Sequence, residues 1–244
     1  MSLRDDVLIQ SNAIGADDLQ LLLQYARRAH MTDSLVSNFE DPQEGNGTEW
    51  IVNTNIRNTQ EVQLIASITE KLASIDRASI NAFINPFYAV EVRECEPSQL
   101  LHYGVGGHYI AHVDAETLYT DEAGLEMWEK TLDRDLSLVY FLNDDFDGGE
   151  LIFPALDLVI EPRPGTLVCF PSDHHFIHGV NPVTAGHRYT AVTWMRVEGM
   201  PTPDEINEMA MNEYHRLWPK QIEQPSRIAK GGLRERRTEL TGSS

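Results

Sequence analysis

The sequence predicts a mainly β domain with a helical buttress, its short antiparallel strands arranged as a sandwich or jelly roll. Two observations carry the β assignment. From Gln99 onward, runs rich in branched and aromatic residues recur at 100–103, 136–142, 150–153, 156–160, 166–170 and 189–195. Gly148-Gly149, Pro154, Pro162, Pro164-Gly165 and Pro171 keep those runs short, and strands joined by tight turns suit stacked antiparallel sheets better than a parallel sheet with crossover helices. A third observation supplies the buttress: before Gln99 the apolar residues fall at helical intervals.

The elements follow in chain order. Leu19, Leu22, Leu23 and Ala26 predict an amphipathic helix over 16–30, with Asp17 or Asp18 as its cap. Residues 31–47 are polar and rich in breakers, including Asp41-Pro42 and Gly45-Asn46-Gly47, and read as a long surface loop. Val62, Ile65, Ile68 and Leu72 predict a second helix over 59–75. Residues 115–133 look like an insertion with a short helical pattern at 125–132, and 203–218 like a terminal helix opened by proline. We expect one domain over 1–230 and a flexible polar tail over 231–244.

Composition narrows the function. With 38 acidic against 19 basic side chains, the formal net charge is -19, a field that repels phosphate backbones and argues against a nucleic-acid partner. Cys95 and Cys169 form no closely spaced pair, which fits a reducing cytoplasm. No signal-peptide pattern and no long apolar run is present, so a membrane partner is not expected. Nothing in the sequence indicates an oligomeric state.

The chemistry starts at His112-Val113-Asp114. On an extended strand, residues two apart project to one face, so an imidazole and a carboxylate can reach one ion. The cluster His174, His175 and His178 offers three candidates for another imidazole from a distant strand. Two imidazoles and one carboxylate make the facial triad of non-haem Fe(II) oxygenases, leaving positions for an oxoacid and dioxygen. The far carboxylate of an oxoacid needs a cationic fork, which Arg188 supplies, and strand alternation puts the Thr190 hydroxyl beside it. Trp194 follows the same alternation and is a candidate border of the substrate site. Gly104, Gly106 and Gly107 read as a bend between strands, and Gly148-Gly149 as a hairpin turn.

The run from Gln99 through His102-Tyr103-Gly104 to His112-Val113-Asp114 resembles the metal-binding segment of the prolyl 4-hydroxylase family of Fe(II)/2-oxoglutarate oxygenases. The run from His178 through Pro182-Val183 to Arg188 is similar to the family's second half-motif, in which a basic residue follows the distal histidine by ten positions. Between them, Arg134, residues 138–143 and Gly148 to Phe153 look like its central strand pair. The resemblance covers roughly residues 99–195. It implies a double-stranded β-helix (jelly-roll) core, and iron held by His112, Asp114 and His178. It also implies 2-oxoglutarate held by Arg188, Thr190 and the Tyr103 hydroxyl, with no catalytic side chain beyond the metal centre. Arg188 stands where collagen-type members commonly have lysine. Among the clustered histidines the ten-residue interval selects His178, leaving His174 and His175 at the mouth, with His175 a candidate substrate contact.

The implied reaction hydroxylates an unactivated C–H bond using Fe(II), 2-oxoglutarate and O2, with ascorbate a candidate reductant in vitro. A prolyl or other amino-acid residue in a peptide or protein is the expected substrate, and the segments 31–58 and 115–133 are expected to cover it. A free amino acid or small metabolite is the alternative. Two further readings stay open: a non-enzymatic jelly-roll metal binder, and a cupin-type isomerase or hydrolase, which would not need Arg188 at its spacing.

Overall fold

The structure is a computed structural model that describes residues 3–38, 49–120 and 124–208. Its strands are β1 (Leu8–Gln10), β2 (Met31–Asp33), β3 (Val36–Asn38), β4 (Glu49–Ile51), β5 (Arg57–Asn58), β6 (Gln60–Val62), β7 (Val92–Cys95), β8 (Gln99–Tyr103), β9 (His108–His112) and β10 (Glu116–Thr120). They continue with β11 (Glu126–Lys130), β12 (Leu136–Phe141), β13 (Phe146–Gly148), β14 (Leu151–Phe153), β15 (Leu158–Ile160), β16 (Leu167–Pro171), β17 (His178–Val180), β18 (Val183–Gly186) and β19 (Arg188–Val197). The helices are α1 (Ala16–Ala26), α2 (Ala66–Ser79), α3 (Asn85–Tyr88) and α4 (Pro203–Glu208).

An eight-stranded major sheet runs β1-β16-β12-β19-β8-β6-β2, with β7 also on β19, and faces a five-stranded minor sheet in the order β15-β14-β17-β9-β5. Their pairings are antiparallel. This is the expected jelly-roll core, and the expected strands of the second half all form.

Alternation on the major sheet divides the interior in two. Leu100, Leu138, Tyr140, Cys169, Tyr189, Ala191 and Met195 point to one side and pack on Leu22, Ile68, Leu72, Ile84 and Tyr88 of the helical layer. Leu101, Tyr103, Val139, Phe141, Val168 and Phe170 point to the other, against Leu151, Phe153, Ile160 and Val180 of the minor sheet. The second side is the barrel interior.

Several expectations need correction. Helix α1 forms, but Gly15 is its N-cap and no side chain caps it; Asp17 and Asp18 lie in the first turn, and Asp18 pairs with Lys71 of α2 at 2.7 Å. The second helix begins at Ala66, because Gln60–Val62 is claimed by the sheet, pairing with both β2 and β8. Val62 fits a helical period yet is buried as a strand residue. The amide of Ile65, at the helix entry, donates instead to the Tyr25 hydroxyl at 3.1 Å. The expected loop over 31–47 contains β2 and β3, and its remainder from residue 39 lies outside the described residues.

Where a helical pattern was expected at 125–132 there is an antiparallel strand pair: β10 and β11 pair from Glu116↔Lys130 to Thr120↔Glu126. Its base is fixed by Lys130, whose fully buried ammonium donates to Asp135 at 2.6 Å. Gly148 and Gly149 do not close a hairpin. They link β13, which pairs β18, to β14, which pairs β15 and β17, and both have positive φ. The terminal helix is described only over Pro203–Glu208, opened by a Thr202/Glu205 capping box; its expected continuation and the tail over 231–244 lie outside the described residues.

Candidate metal and oxoacid site

Antiparallel pairing of β9 with β17 sets His112 directly opposite His178. Gly179 permits that approach, since a Cβ there would lie 3.0 Å from the Tyr109 carbonyl oxygen. Strand β9 ends at His112, so Asp114 sits in the bend just beyond it. Even so, the carboxylate spans both imidazoles: Oδ1 is 3.6 Å from His112 Nε2 and Oδ2 is 3.4 Å from His178 Nε2. His112, Asp114 and His178 hold their ligand atoms within 4.8 Å of one another.

Neighbouring groups orient all three. His112 Nδ1–H donates to the Ile110 carbonyl at 2.8 Å, and His178 Nδ1–H to the Phe176 carbonyl at 3.0 Å. Each bond selects the tautomer whose lone pair is on Nε2, facing Asp114. Burial pushes the His178 imidazole down to about 4, with Asp114 opposing the effect, so His178 is neutral near pH 7, as ligation requires. Burial alone would raise the Asp114 carboxyl, but the facing His178 and His112 and a 2.6 Å bond from the Ser137 hydroxyl hold it well below the usual carboxylate range. Tyr109 stacks on His112 with centroids 3.6 Å apart, and Phe170 meets His178 edge-on at 4.6 Å.

Deeper in the same interior lies Arg188, paired across β19 and β8 with Tyr103. It is the largest fully buried side chain among the described residues. Its guanidinium lies 4.4 Å from the Tyr103 ring centroid. Its Nε and Nη1 have no hydrogen-bond partner, and neither does Oγ1 of Thr190 on the same strand face. Burial lowers the Arg188 pKa, and Tyr103 works in the opposite direction; the group stays charged at any working pH. A buried cation with two unpaired donors and an adjacent unpaired hydroxyl is the complement of a carboxylate. Gly149 is required beside it, because a Cβ at that position would lie 2.9 Å from Arg188 Cδ.

Trp194 also faces the site side, opposite Ser137, and is covered by Arg134 at 3.8 Å from Cζ to the ring centroid. His175 is exposed on a 3-10 turn (His174–Phe176) ahead of β17, with its Nδ1 at 3.0 Å from Asp173. His102 and His187 bond each other at 2.9 Å away from the triad, in keeping with their structural reading, while His215 lies outside the described residues.

Sequence reasoning gave no role to three neighbours of the site. Ser137, a lone hydroxyl in the apolar run of β12, left a legible signal; Tyr109 left none. Arg134, within a recognised block, chelates Glu96 at 2.5 and 2.8 Å and donates to the Asp114 carbonyl at 3.2 Å.

Residues 98–196 match the family described as the 2OG-Fe(II) oxygenase superfamily. Over 132 residues the chain is 33% identical to a PKHD-type hydroxylase of Sphingopyxis alaskensis, covering 50% of this chain and 56% of that protein. Over 109 residues it is 33% identical to prolyl 3-hydroxylase 2 of Mus musculus, covering 41% of this chain and 15% of that one. The chain thus spans little more than half of the first relative's length and a small part of the second's. Among solved structures, a prolyl-4-hydroxylase of Pseudomonas putida superposes with a TM-score of 0.52 at 23% identity, covering 81% of this chain and 97% of that one. A prolyl hydroxylase of Trichoplax adhaerens, in complex with a hypoxia inducible factor peptide fragment, superposes at 0.54 with 17% identity, covering 84% and 87%. At these identities the structures establish the fold.

Proposed function

We propose that this chain, whose residues 98–196 match the 2OG-Fe(II) oxygenase superfamily, is a 2-oxoglutarate-dependent dioxygenase that hydroxylates a prolyl or other amino-acid residue in a peptide or protein. His112, Asp114 and His178 would hold Fe(II), and Arg188, Thr190 and Tyr103 would hold 2-oxoglutarate. The observation that carries the reading is Arg188: a fully buried guanidinium with two unpaired donors, in the same interior as the triad. A plain metal binder or a cupin-type isomerase has no use for that cation.

The residues fit both groups. Two Nε2 lone pairs and one carboxylate match the facial triad of a non-haem iron site, and the Arg188–Thr190 pair complements a dicarboxylate's far end. When bound, Fe(II) and 2-oxoglutarate supply oxygen activation coupled to decarboxylation, yielding succinate and delivering one oxygen atom to a C–H bond. The protein's part is positioning. Backbone carbonyls fix the imidazole tautomers, Ser137 anchors the carboxylate, and Phe153, Phe170 and Phe141 keep the interior dry.

A prolyl substrate is supported by the similarity to prolyl 3-hydroxylase 2 of Mus musculus, and a peptidyl one by the likeness to the Trichoplax adhaerens prolyl hydroxylase in complex with a peptide fragment. Trp194 and His175 are the proposed substrate contacts, and the β10–β11 hairpin beside the mouth is a proposed cover. Two unpaired cysteines, Cys95 and Cys169, fit a cytoplasmic setting, and among the described residues no helix is long and apolar enough to cross a membrane.

The test is succinate formation with Fe(II), 2-oxoglutarate, O2 and ascorbate. Asp114→Ala is expected to abolish it, and undiminished turnover in that variant would sink the assignment. A mass-spectrometric screen for a gain of one oxygen, run over proline-containing peptides and free amino acids, separates the peptidyl reading from the small-metabolite one.

A further inference from the structure

A second group of metal-ligating side chains sits at the barrel rim, separate from the triad. Asp173, His174 and His175, between β16 and β17, hold their ligand atoms within 4.8 Å of one another. The two imidazoles are neighbours in sequence, yet their rings lie 4.2 Å apart on one side of the turn. Asp173 caps that turn: one of its oxygens accepts from the His175 amide at 2.8 Å and from His175 Nδ1 at 3.0 Å.

His174 is held from the hairpin. Glu116 of β10 has a fully buried carboxylate, and its Oε2 accepts from the His174 amide at 2.9 Å and from Nδ1 at 2.6 Å. Trp128 of β11 stacks on the same ring, 5.2 Å away and within 6° of parallel. Donation from Nδ1 to a carboxylate puts the imidazole lone pair on Nε2 and raises its basicity, the arrangement found behind metal-bound histidines. His174 shows that arrangement, while the His175 Nδ1 and the Asp173 oxygen, 3.0 Å apart, lie as neighbouring ligand atoms. Two buried carboxylates facing two imidazoles also make a site whose charge favours a cation.

We propose that Asp173, His174 and His175 form a second metal site, for a divalent transition ion of the Zn(II) class, with Glu116 as the carboxylate that orients His174. The mixed nitrogen and oxygen donors select such an ion over Ca(II) or Mg(II), which take oxygen shells. Because Glu116 and Trp128 belong to the hairpin and the ligands to the barrel rim, the ion also pins the hairpin to the mouth of the site. The proposal does not depend on the oxygenase reading, since it concerns residues outside the triad, and it gives His175 a metal ion in place of the direct substrate contact proposed above.

Anaerobic titration of the full-length protein with Co(II), followed by absorption and by metal content, tests it. Wild type is expected to bind two ions. His112→Ala combined with Asp114→Ala retains one, and His175→Gln, at an exposed position that folding tolerates, also retains one. Wild-type stoichiometry in His175→Gln, or no Co(II) bound by the doubly substituted triad variant with an unaltered circular dichroism spectrum, overturns the site. Should the triad variant not fold, the contrast between wild type and His175→Gln decides alone. Hydrogen exchange over residues 116–120 and 126–130 is expected to slow at least tenfold with Zn(II) in wild type and not in His175→Gln; equal exchange in both removes the pinning role.

Discussion

Replacing Arg188 with methionine should weaken 2-oxoglutarate binding and stabilise the ligand-free protein at once. The guanidinium is completely buried, and Nε and Nη1 meet no acceptor. Its compensation in the free protein is a hydrogen bond with the Tyr103 side chain and the aromatic faces of Tyr103 and Phe141, at 4.4 and 5.5 Å. Each face contributes up to roughly 2 kcal/mol, against a desolvation cost of several kcal/mol. Methionine of similar length removes that cost, so a gain of about 2 kcal/mol is expected, equivalent to a rise of roughly 4–8 °C in melting temperature for a chain of this size. The carboxylate contact is lost in exchange. Truncating one partner of a buried charged pair costs about 2–5 kcal/mol, which raises the KM for 2-oxoglutarate by roughly 30- to 4,000-fold. Two assays suffice: thermal unfolding of the metal-free protein, and succinate formation against 2-oxoglutarate concentration. An unchanged KM, or a melting temperature that falls, refutes the reasoning.

Further outcomes follow from neighbouring residues. Ser137→Ala deletes the hydroxyl bonded to Asp114 at 2.6 Å and is expected to weaken Fe(II) binding by about 10- to 100-fold, measured by anaerobic metal titration; unchanged affinity counts against an orienting role. Gly149→Ala places a methyl 2.9 Å from Arg188 Cδ at a φ of +68°, which should cost about 1–3 kcal/mol in denaturant unfolding and raise the KM for 2-oxoglutarate; a silent substitution would show that the Arg188 cavity has slack. Asp76, bonded to Ser98 beneath the major sheet, is pushed up to about 6 by burial from an ordinary 3.8. Its stabilising contribution is complete below pH 4 and disappears as pH rises through 6. Wild type should therefore lose about 3 kcal/mol of stability relative to Asp76→Asn between pH 4 and pH 7, and parallel stability profiles for the two proteins would contradict this.

The candidate metal site was legible in part because its logic is short-range. His112 and Asp114 sit two apart, a weak signal alone, and it is the resemblance to a known half-motif that singles out His178 and Arg188 by their interval of ten within one strand–turn–strand unit. The cradle for Arg188 was legible only in part: alternation marks Thr190, but nothing local says that Gly149, from another strand, clears space for the side chain. The hairpin was misread because Leu125, Trp128 and Leu132 mimic a helical interval, while the pairing of Glu116 with Lys130 that makes it a hairpin is a tertiary fact. Val62 and Ile65 misled in the same way, since pairing with β2 and β8 outweighs helical period at Val62. His174 and His175 read as loop residues, because Glu116, the carboxylate that holds His174, lies 58 positions away from it.

The parity of β19 has a practical consequence. Arg188, Thr190, Val192 and Trp194 serve the interior that holds the site, while Tyr189, Ala191, Met195 and Val197 serve the helix-backed core. Engineering on this strand therefore separates by odd and even position: libraries at 189, 191, 195 and 197 search for robustness without touching ligand chemistry, and libraries at 192 and 194 search for new substrates. A deletion of one residue does neither, since it turns the guanidinium toward the helices and a tyrosine into its place.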